Sequence, residues 1–137
     1  MRVFLDTNVL VSAFATRGLC ADLFELVLFE HDMIVGRNVL RELTKALRQK
    51  VKLPPREVDG IVEFVSGEAT QLVESSRAIS ESVDADDAII LGEALAGNAA
   101  VFVTGDSLVL KLGAVERMRI VSPRTFWELL QSGGLKT

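Results

Sequence analysis

Acidic side chains recur in this sequence where a short apolar segment gives way to a helical pattern. Asp6 directly follows the apolar residues 3–5, and Asp106 follows residues 100–103 after a Thr-Gly turn. Three further aspartates begin an apolar helical segment: Asp84, Asp86 and Asp87. Any one of them could simply cap a helix or occupy a turn. Carboxylates that converge in one cleft, however, repel one another unless a cation or a proton intervenes.

Glu42 is a further acid of interest because the helical segment around it is otherwise basic. Residues 37–56 contain seven basic residues and Glu42 as the one acid. At about 100° per residue, apolar residues fill one arc of this helix and basic residues fill the opposite arc, with Glu42 between them. Asn38 is positioned to cap the helix. The basic arc either contacts a nucleic-acid backbone or is a solvated helix face, and its candidate binding residues are Arg37, Arg41, Lys45 and Arg48.

The residue types in this set favour one kind of chemistry. Oxygen ligands without a histidine or cysteine cluster suit Mg²⁺ or Mn²⁺ and not zinc. His31 is the only histidine and lies at the end of a predicted helix, which argues against a histidine general base. The sequence has no glycine-rich phosphate loop and no nucleophile elbow. The remaining chemistry is attack by water on a phosphodiester, assisted by a divalent cation.

The elements that must position these acids are short strands that alternate with helices. Strands are predicted at residues 3–5, 33–35, 71–73, 100–103 and 119–121. This alternation implies a parallel sheet with right-handed crossover connections. We therefore predict one α/β domain over residues 1–137, with three layers (α/β/α). In such a sheet, ligands bind at the carboxyl ends of the strands, where the acids are expected.

Composition and charge are those of an ordinary soluble globular protein. The 137 residues are 49% hydrophobic and 25% charged, and no apolar run approaches the roughly 20 residues of a membrane helix. The amino terminus does not have the pattern of a signal peptide, and the single cysteine, Cys20, fits a reducing cytoplasm. The formal net charge of −4 is unevenly distributed, so it does not exclude a nucleic-acid partner.

Four motifs in order along the chain resemble those of PIN-domain ribonucleases, particularly the VapC-like toxins of toxin–antitoxin pairs. The motifs are Phe4-Leu5-Asp6-Thr7-Asn8, Val39-Leu40-Arg41-Glu42-Leu43, Asp84-Ala85-Asp86-Asp87-Ala88-Ile89-Ile90-Leu91 and Val103-Thr104-Gly105-Asp106. The resemblance covers nearly the whole chain. It implies a parallel five-stranded sheet in the order 3-2-1-4-5.

The resemblance also implies an active site, cofactor and partners. Asp6, Glu42, Asp87 and Asp106 would be the catalytic, metal-binding residues of an endoribonuclease that cleaves single-stranded RNA with Mg²⁺ or Mn²⁺. Asp84 and Asp86 would be auxiliary acids. Thr7, Asn8 and Thr104 would orient the acids or the attacked phosphate. The expected partners are RNA, an antitoxin protein and further copies of the chain in a homodimer or higher oligomer, with no membrane.

Two alternatives stay open at this point. A haloacid-dehalogenase-like phosphatase also has an aspartate after its first strand, but its motif requires a second aspartate where this chain has Asn8. A catalytically silent RNA-binding PIN module would keep the fold without the activity. Four mutually repelling acids without a metal to bind argue against that module.

Overall fold

A six-stranded sheet runs through the part of the protein that the computed structural model describes, residues 1–79 and 83–133. Its strands are β1 (Arg2–Leu5), β2 (Asp32–Gly36), β3 (Gln71–Val73), β4 (Val101–Val103), β5 (Ala114–Val115) and β6 (Met118–Val121). They lie in the order β3-β2-β1-β4-β6-β5, and every pair except β5 with β6 is parallel. The predicted α/β fold with a parallel sheet is confirmed for the five predicted strands, including the order 3-2-1-4 and the placement of residues 119–121 beside β4.

Helices connect these strands. They are α1 (Thr7–Ala15), α2 (Leu19–Glu30), α3 (Arg37–Gln49), α4 (Pro55–Glu68), α5 (Ala85–Ala96), α6 (Ser107–Leu110) and α7 (Pro123–Ser132). From β1 to β2 and from β2 to β3, the chain adds strands on one side of β1. The connection from β3 to β4 then crosses back, and β4 pairs with the other side of β1. Because parallel crossovers are right-handed, α1 to α4 and α5 cover opposite faces of the sheet. None of the described helices is long and apolar enough to cross a membrane.

The central strands are hydrophobic without alternation because both faces of the sheet are covered. Val3, Phe4 and Leu5 are all buried, and so is the whole of β4. Phe4 and Phe102 are register partners on β1 and β4, and their rings stack with centroids 5.3 Å apart. This packing fixes β1 against β4, the two strands that the candidate aspartates follow.

The sheet has one more strand than the five predicted. β5 pairs antiparallel with β6, with Ala114 opposite Arg119 and Val115 opposite Met118. Gly113 and Glu116 have positive φ values of 69° and 53°, which form the tight turns on either side of β5. A two-residue strand is too short to produce a periodic pattern in the sequence.

The start of α3 also differs from the prediction. The helix begins at Arg37, and the N-cap position is occupied by Gly36, which has no side chain to form a capping hydrogen bond. Asn38 lies inside the helix and therefore does not cap it as predicted. Its side chain instead donates to the carboxylate of Glu93 on α5. The physical reason is that a carboxylate from another helix satisfies the amide of Asn38, which the sequence alone does not reveal.

Candidate active site

Asp6 and Asp106 lie at the topological switch point of the sheet, between β1 and β4. β1 has β2 on one side and β4 on the other, and each aspartate directly follows or lies just beyond the carboxyl end of its strand. The backbone N–H of Asp6 donates to the carbonyl oxygen of Val103 at 2.9 Å, which extends the pairing of the two strands. Open α/β sheets bind their ligands at such a crevice.

The carboxylate of Asp6 is buried, with 4% of the residue exposed, and three donors hold it. Its Oδ1 accepts from the backbone N–H of Thr7 at 2.8 Å. Its Oδ2 accepts from Thr104 Oγ1 at 2.8 Å and from Asn8 Nδ2 at 3.2 Å. A carboxylate offers about four acceptor positions. Three are used here, so the orientation of Asp6 is fixed while capacity for one further ligand remains.

Thr104 and Asn8 connect the loop after β1 to the loop after β4. The hydroxyl of Thr104 donates to Asp6 and accepts from the backbone N–H of Asp106 at 3.0 Å. Asn8 Oδ1 accepts from the backbone N–H of Gly105 at 2.9 Å. A Cβ at position 105 would lie 3.3 Å from that oxygen, so glycine suits the close approach. These side chains hold the two aspartates in a fixed relation.

Asp106 combines a structural contact with an available oxygen. Its Oδ1 caps α6 by accepting from the backbone N–H groups of Leu108 at 2.8 Å and Val109 at 3.3 Å. Within residues 1–79 and 83–133, its Oδ2 has no hydrogen-bond partner. Asp106 thus caps a helix where the sequence suggested a simple turn residue, and the cap leaves half of the carboxylate free for another ligand.

The other candidate acids line the same cleft from α3 and α5. Glu42 is half-buried, and its Oε1 accepts from Thr7 Oγ1 at 3.2 Å. A cleft of about 390 Å³ brings together five carboxylates: Glu42, Asp84, Asp86, Asp87 and Asp106. A groove of about 510 Å³ along α1 is lined by Asp6 and shares Glu42, Asp87 and Asp106 with the cleft. The structure thus places all six acids selected from the sequence around one connected opening.

The electrostatics of the opening reflect burial and crowding of like charges. Burial first, and then the charges of Asp6, Asp106, Asp84 and Glu42, raise the pKa of Asp87 to about 6. The pKa of Glu42 is raised by burial and by the nearby Asp6 and Asp86. Burial is also the main cause of the raised pKa of Asp6, although its hydrogen bonds oppose this effect. Across the described ranges none of these acids forms an ion pair, so the crowding is not relieved by the chain itself.

A sequence model of the PIN domain matches residues 2–108, a range that contains every candidate acid. The chain belongs to the PIN-domain family. PIN domains are generally nucleases that use divalent metal ions. The family predicted from the four motifs is therefore confirmed.

A solved structure shows the same fold. VapBC2 from Rickettsia felis, bound to a DNA fragment from its promoter, superposes with a TM-score of 0.65 at 16% sequence identity. The match covers 89% of this chain and 98% of the other. A search among curated proteins found no significant match. At this identity the likeness establishes a shared fold.

The acids of this PIN domain fit a hard divalent cation that keeps part of its water shell. In the described chain, no three acidic, histidine or cysteine side chains converge closely enough to hold an ion by themselves. Mg²⁺ is usually bound by only one or two carboxylates, with waters and substrate phosphates completing its octahedral shell. The free oxygen of Asp106 and the remaining acceptor capacity of Asp6 meet that requirement. An all-oxygen donor set also suits Mg²⁺ or Mn²⁺ better than softer metals.

The predicted basic residues differ in their relation to the cleft of the PIN domain. Lys45 lines the cleft, and so does Lys50, which sequence analysis did not select. Arg41 donates to Asn38 Oδ1 at 2.8 Å and pairs with Glu74 at 3.5 Å. Arg37 and Arg48 are exposed on α3 and contribute to neither cavity that contains the acids. Lys50 directly follows the last residue of α3 and does not lie on the basic arc predicted for that helix, so the helical pattern did not select it.

Proposed function

We propose that this PIN domain is an Mg²⁺- or Mn²⁺-dependent endoribonuclease that cleaves single-stranded RNA. The main support is the convergence of Asp6, Glu42, Asp87 and Asp106 on one opening, with three of their pKa values raised. Among the residues that the structure describes, no cationic side chain forms an ion pair with any of the four. Such a group of like charges is what a divalent cation would stabilise. Asp84 and Asp86 line the same cleft and act as auxiliary acids in this proposal.

The hydrogen bonds indicate a role for each residue of the site. A bound divalent cation would neutralise the charge that develops on the attacked phosphate and lower the pKa of the attacking water. Thr104 and Asn8 hold Asp6 in place, and Thr104 also anchors the backbone of Asp106. Thr7 links Asp6 to Glu42 through its backbone N–H and its hydroxyl. These three residues therefore position the acids before any substrate arrives.

The RNA backbone would enter between the acids and the lysines of α3. Lys45 and Lys50 line the same cleft as Glu42 and Asp87. Phosphates next to the scissile one can therefore contact a lysine ammonium group while the scissile phosphate lies beside the acids. Arg41 is a weaker candidate because its guanidinium already contacts Asn38 and Glu74. Arg37 and Arg48 would serve only a strand that continues along the exposed face of α3.

Neutralising Lys45 and Lys50 should weaken RNA binding and reduce its salt dependence. Each lost phosphate contact lowers the slope of log affinity against log salt by about 0.7 for a single strand, so Lys45→Gln with Lys50→Gln should reduce it by about 1.4. Fluorescence anisotropy with a labelled oligoribonucleotide at several salt concentrations measures this slope. Arg117→Gln is the control and should leave the slope unchanged, because Arg117 is exposed in the turn between β5 and β6 and lines neither cavity around the acids. An unchanged slope in the double variant would remove these lysines from the RNA path.

The cellular setting that we propose is a toxin–antitoxin pair. The support is the fold shared with VapBC2 from Rickettsia felis, together with the toxin-like motifs around the four acids. A partner antitoxin, self-association into a homodimer or higher oligomer, and a cytoplasmic location belong to the same proposal. A neighbouring short reading frame with a DNA-binding amino terminus, whose product co-purifies with this chain, would support it. Absence of both would contradict it.

Cleavage of an end-labelled single-stranded RNA by the purified protein tests the proposed activity. Internal cleavage products are expected, with no release of phosphate from a phosphate monoester. Monoester hydrolysis without RNA cleavage would favour the phosphatase alternative, against which membership of the PIN-domain family already argues. RNA binding without either reaction would favour the catalytically silent module.

A further inference from the structure

Glu93 is a buried carboxylate that lies outside the set of acids around the cleft. It lies on α5 with 0% of the residue exposed, and its carboxylate faces the beginning of α3. The backbone N–H of Asn38 donates to Oε1 at 3.3 Å and to Oε2 at 3.4 Å. Asn38 Nδ2 donates to Oε2 at 3.1 Å. The carboxylate therefore caps α3 from a different helix.

The sequence at the start of α3 requires such a cap from elsewhere. Gly36 occupies the N-cap position and has no side chain to satisfy the first free N–H groups of the helix. A Cβ at position 36 would lie 2.3 Å from Glu93 Oε1, so the absence of a side chain is what allows Glu93 to approach. A carboxylate at this end also complements the positive end of the helix dipole.

The contact joins the two helices that bring Glu42 and Asp87 to the cleft. Glu42 lies four residues after Asn38, one turn further along α3. Asp87 lies six residues before Glu93 on α5. Arg41 extends the connection by donating to Asn38 Oδ1 at 2.8 Å. Loss of the Glu93 contact would free the start of α3 to move relative to α5, and Glu42 would move with it.

We propose that Glu93 is a positioning residue that sets the separation of Glu42 and Asp87 and thereby the affinity of the site for a divalent cation. Glu93 lines neither cavity around the acids and acts through the cap on α3. This inference rests on the proposed metal-dependent function. Outer residues that orient metal ligands typically contribute 10–100-fold to metal affinity or activity.

The test compares Glu93→Gln with the wild-type protein by titration calorimetry with Mn²⁺ and by amide hydrogen exchange. The glutamine has nearly the same shape but keeps only one acceptor oxygen for the two donors of Asn38. We expect Mn²⁺ affinity to fall by about tenfold and the amide of Asn38 to exchange faster. Asn38→Ala keeps the backbone donor to Glu93 but removes the side-chain donor and the oxygen that accepts from Arg41. It should shift the affinity in the same direction by less, and it keeps the test usable if Glu93→Gln folds poorly.

Val27→Ala controls for a general loss of stability. Val27 is buried on α2, which contributes no residue to either cavity around the acids. The Val27→Ala variant should have a lower melting temperature than the wild-type protein and the same affinity for Mn²⁺. Wild-type affinity for Mn²⁺ in Glu93→Gln and Asn38→Ala would overturn the positioning role alone. Failure of the wild-type protein to bind Mn²⁺ or Mg²⁺ would overturn the proposed function and this inference with it.

Discussion

Replacing Asp6 with asparagine should abolish cleavage of single-stranded RNA while the fold is retained. The amide has nearly the same shape and can still accept hydrogen bonds, but it lacks the charge that attracts a cation. The expected loss in kcat/KM is at least about 100-fold, because even residues that only orient a ligand contribute 10–100-fold. Asp106→Asn should act in the same way. Cleavage of an end-labelled RNA, with circular dichroism to confirm folding, measures the effect.

The same assay distinguishes the acids at the start of α5. Asp87 has a pKa of about 6 and feels the charges of four other acids, whereas Asp84 is exposed in the N-cap position. Asp87→Asn should therefore reduce cleavage far more than Asp84→Asn. Asp59→Asn, an exposed acid on α4, is the matched control and should have no effect. Equal losses from Asp84→Asn and Asp87→Asn, or full activity in Asp6→Asn, would contradict the assignment.

Divalent cations should raise the melting temperature more at pH 7.5 than near pH 5. An ion that binds only the folded state adds roughly 2.7 kcal/mol to the free energy of unfolding at a hundred times its dissociation constant. For a domain of this size that corresponds to a rise of roughly 8 °C. Melting curves with Mg²⁺ or Mn²⁺ at both pH values measure the rise, which should largely disappear in Asp6→Asn.

The sign of this pH dependence follows from the raised pKa values. An acid whose folded-state pKa is raised stabilises the fold when it is protonated. This contribution is lost as the pH rises from the pKa of the acid in the unfolded state to its pKa in the folded state. For Asp87 that interval runs from 3.8 to about 6. At pH 7.5 the metal-free fold therefore carries the full repulsion, which a cation relieves. Near pH 5 protons compete with the cation, so the rise is smaller.

A melting temperature that ignores divalent cations at both pH values would contradict this account, provided that cleavage under the same conditions depends on metal. Asp59→Asn should show the same rise as the wild-type protein, because its carboxylate lies outside the cleft. A rise that persists in Asp6→Asn would place the stabilising cation elsewhere in the molecule.

The central part of the fold was predictable because its signals are local and strong. Apolar runs such as residues 3–5 and 100–103 are buried on both faces of the sheet, which makes their sequence continuous in hydrophobicity. The turn residues after them place Asp6 and Asp106 at the carboxyl ends of their strands. That the two strands are neighbours is implied by the resemblance to PIN domains and not by the alternation of strands and helices, and their parallel pairing brings the two acids together.

The unpredicted features depend on contacts between distant parts of the chain. Nothing in the sequence around Glu93 marks it as a helix cap, and only the approach of Gly36 shows that it caps α3. Asn38 has the right residue type for a cap but lies one residue inside the helix and serves another acceptor. Lys50 reaches the cleft because α3 ends there. In each case the physical cause is three-dimensional proximity, which periodicity does not encode.

The most direct test of the central claim is cleavage of single-stranded RNA by protein first treated with EDTA and then given back Mg²⁺ or Mn²⁺. Removal of divalent cations should abolish internal cleavage, and either ion in excess over the chelator should restore it in the wild-type protein but not in Asp6→Asn. Cleavage that continues at full rate in EDTA, or that Asp6→Asn performs as well as the wild-type protein, would contradict a metal-dependent nuclease site at these four acids.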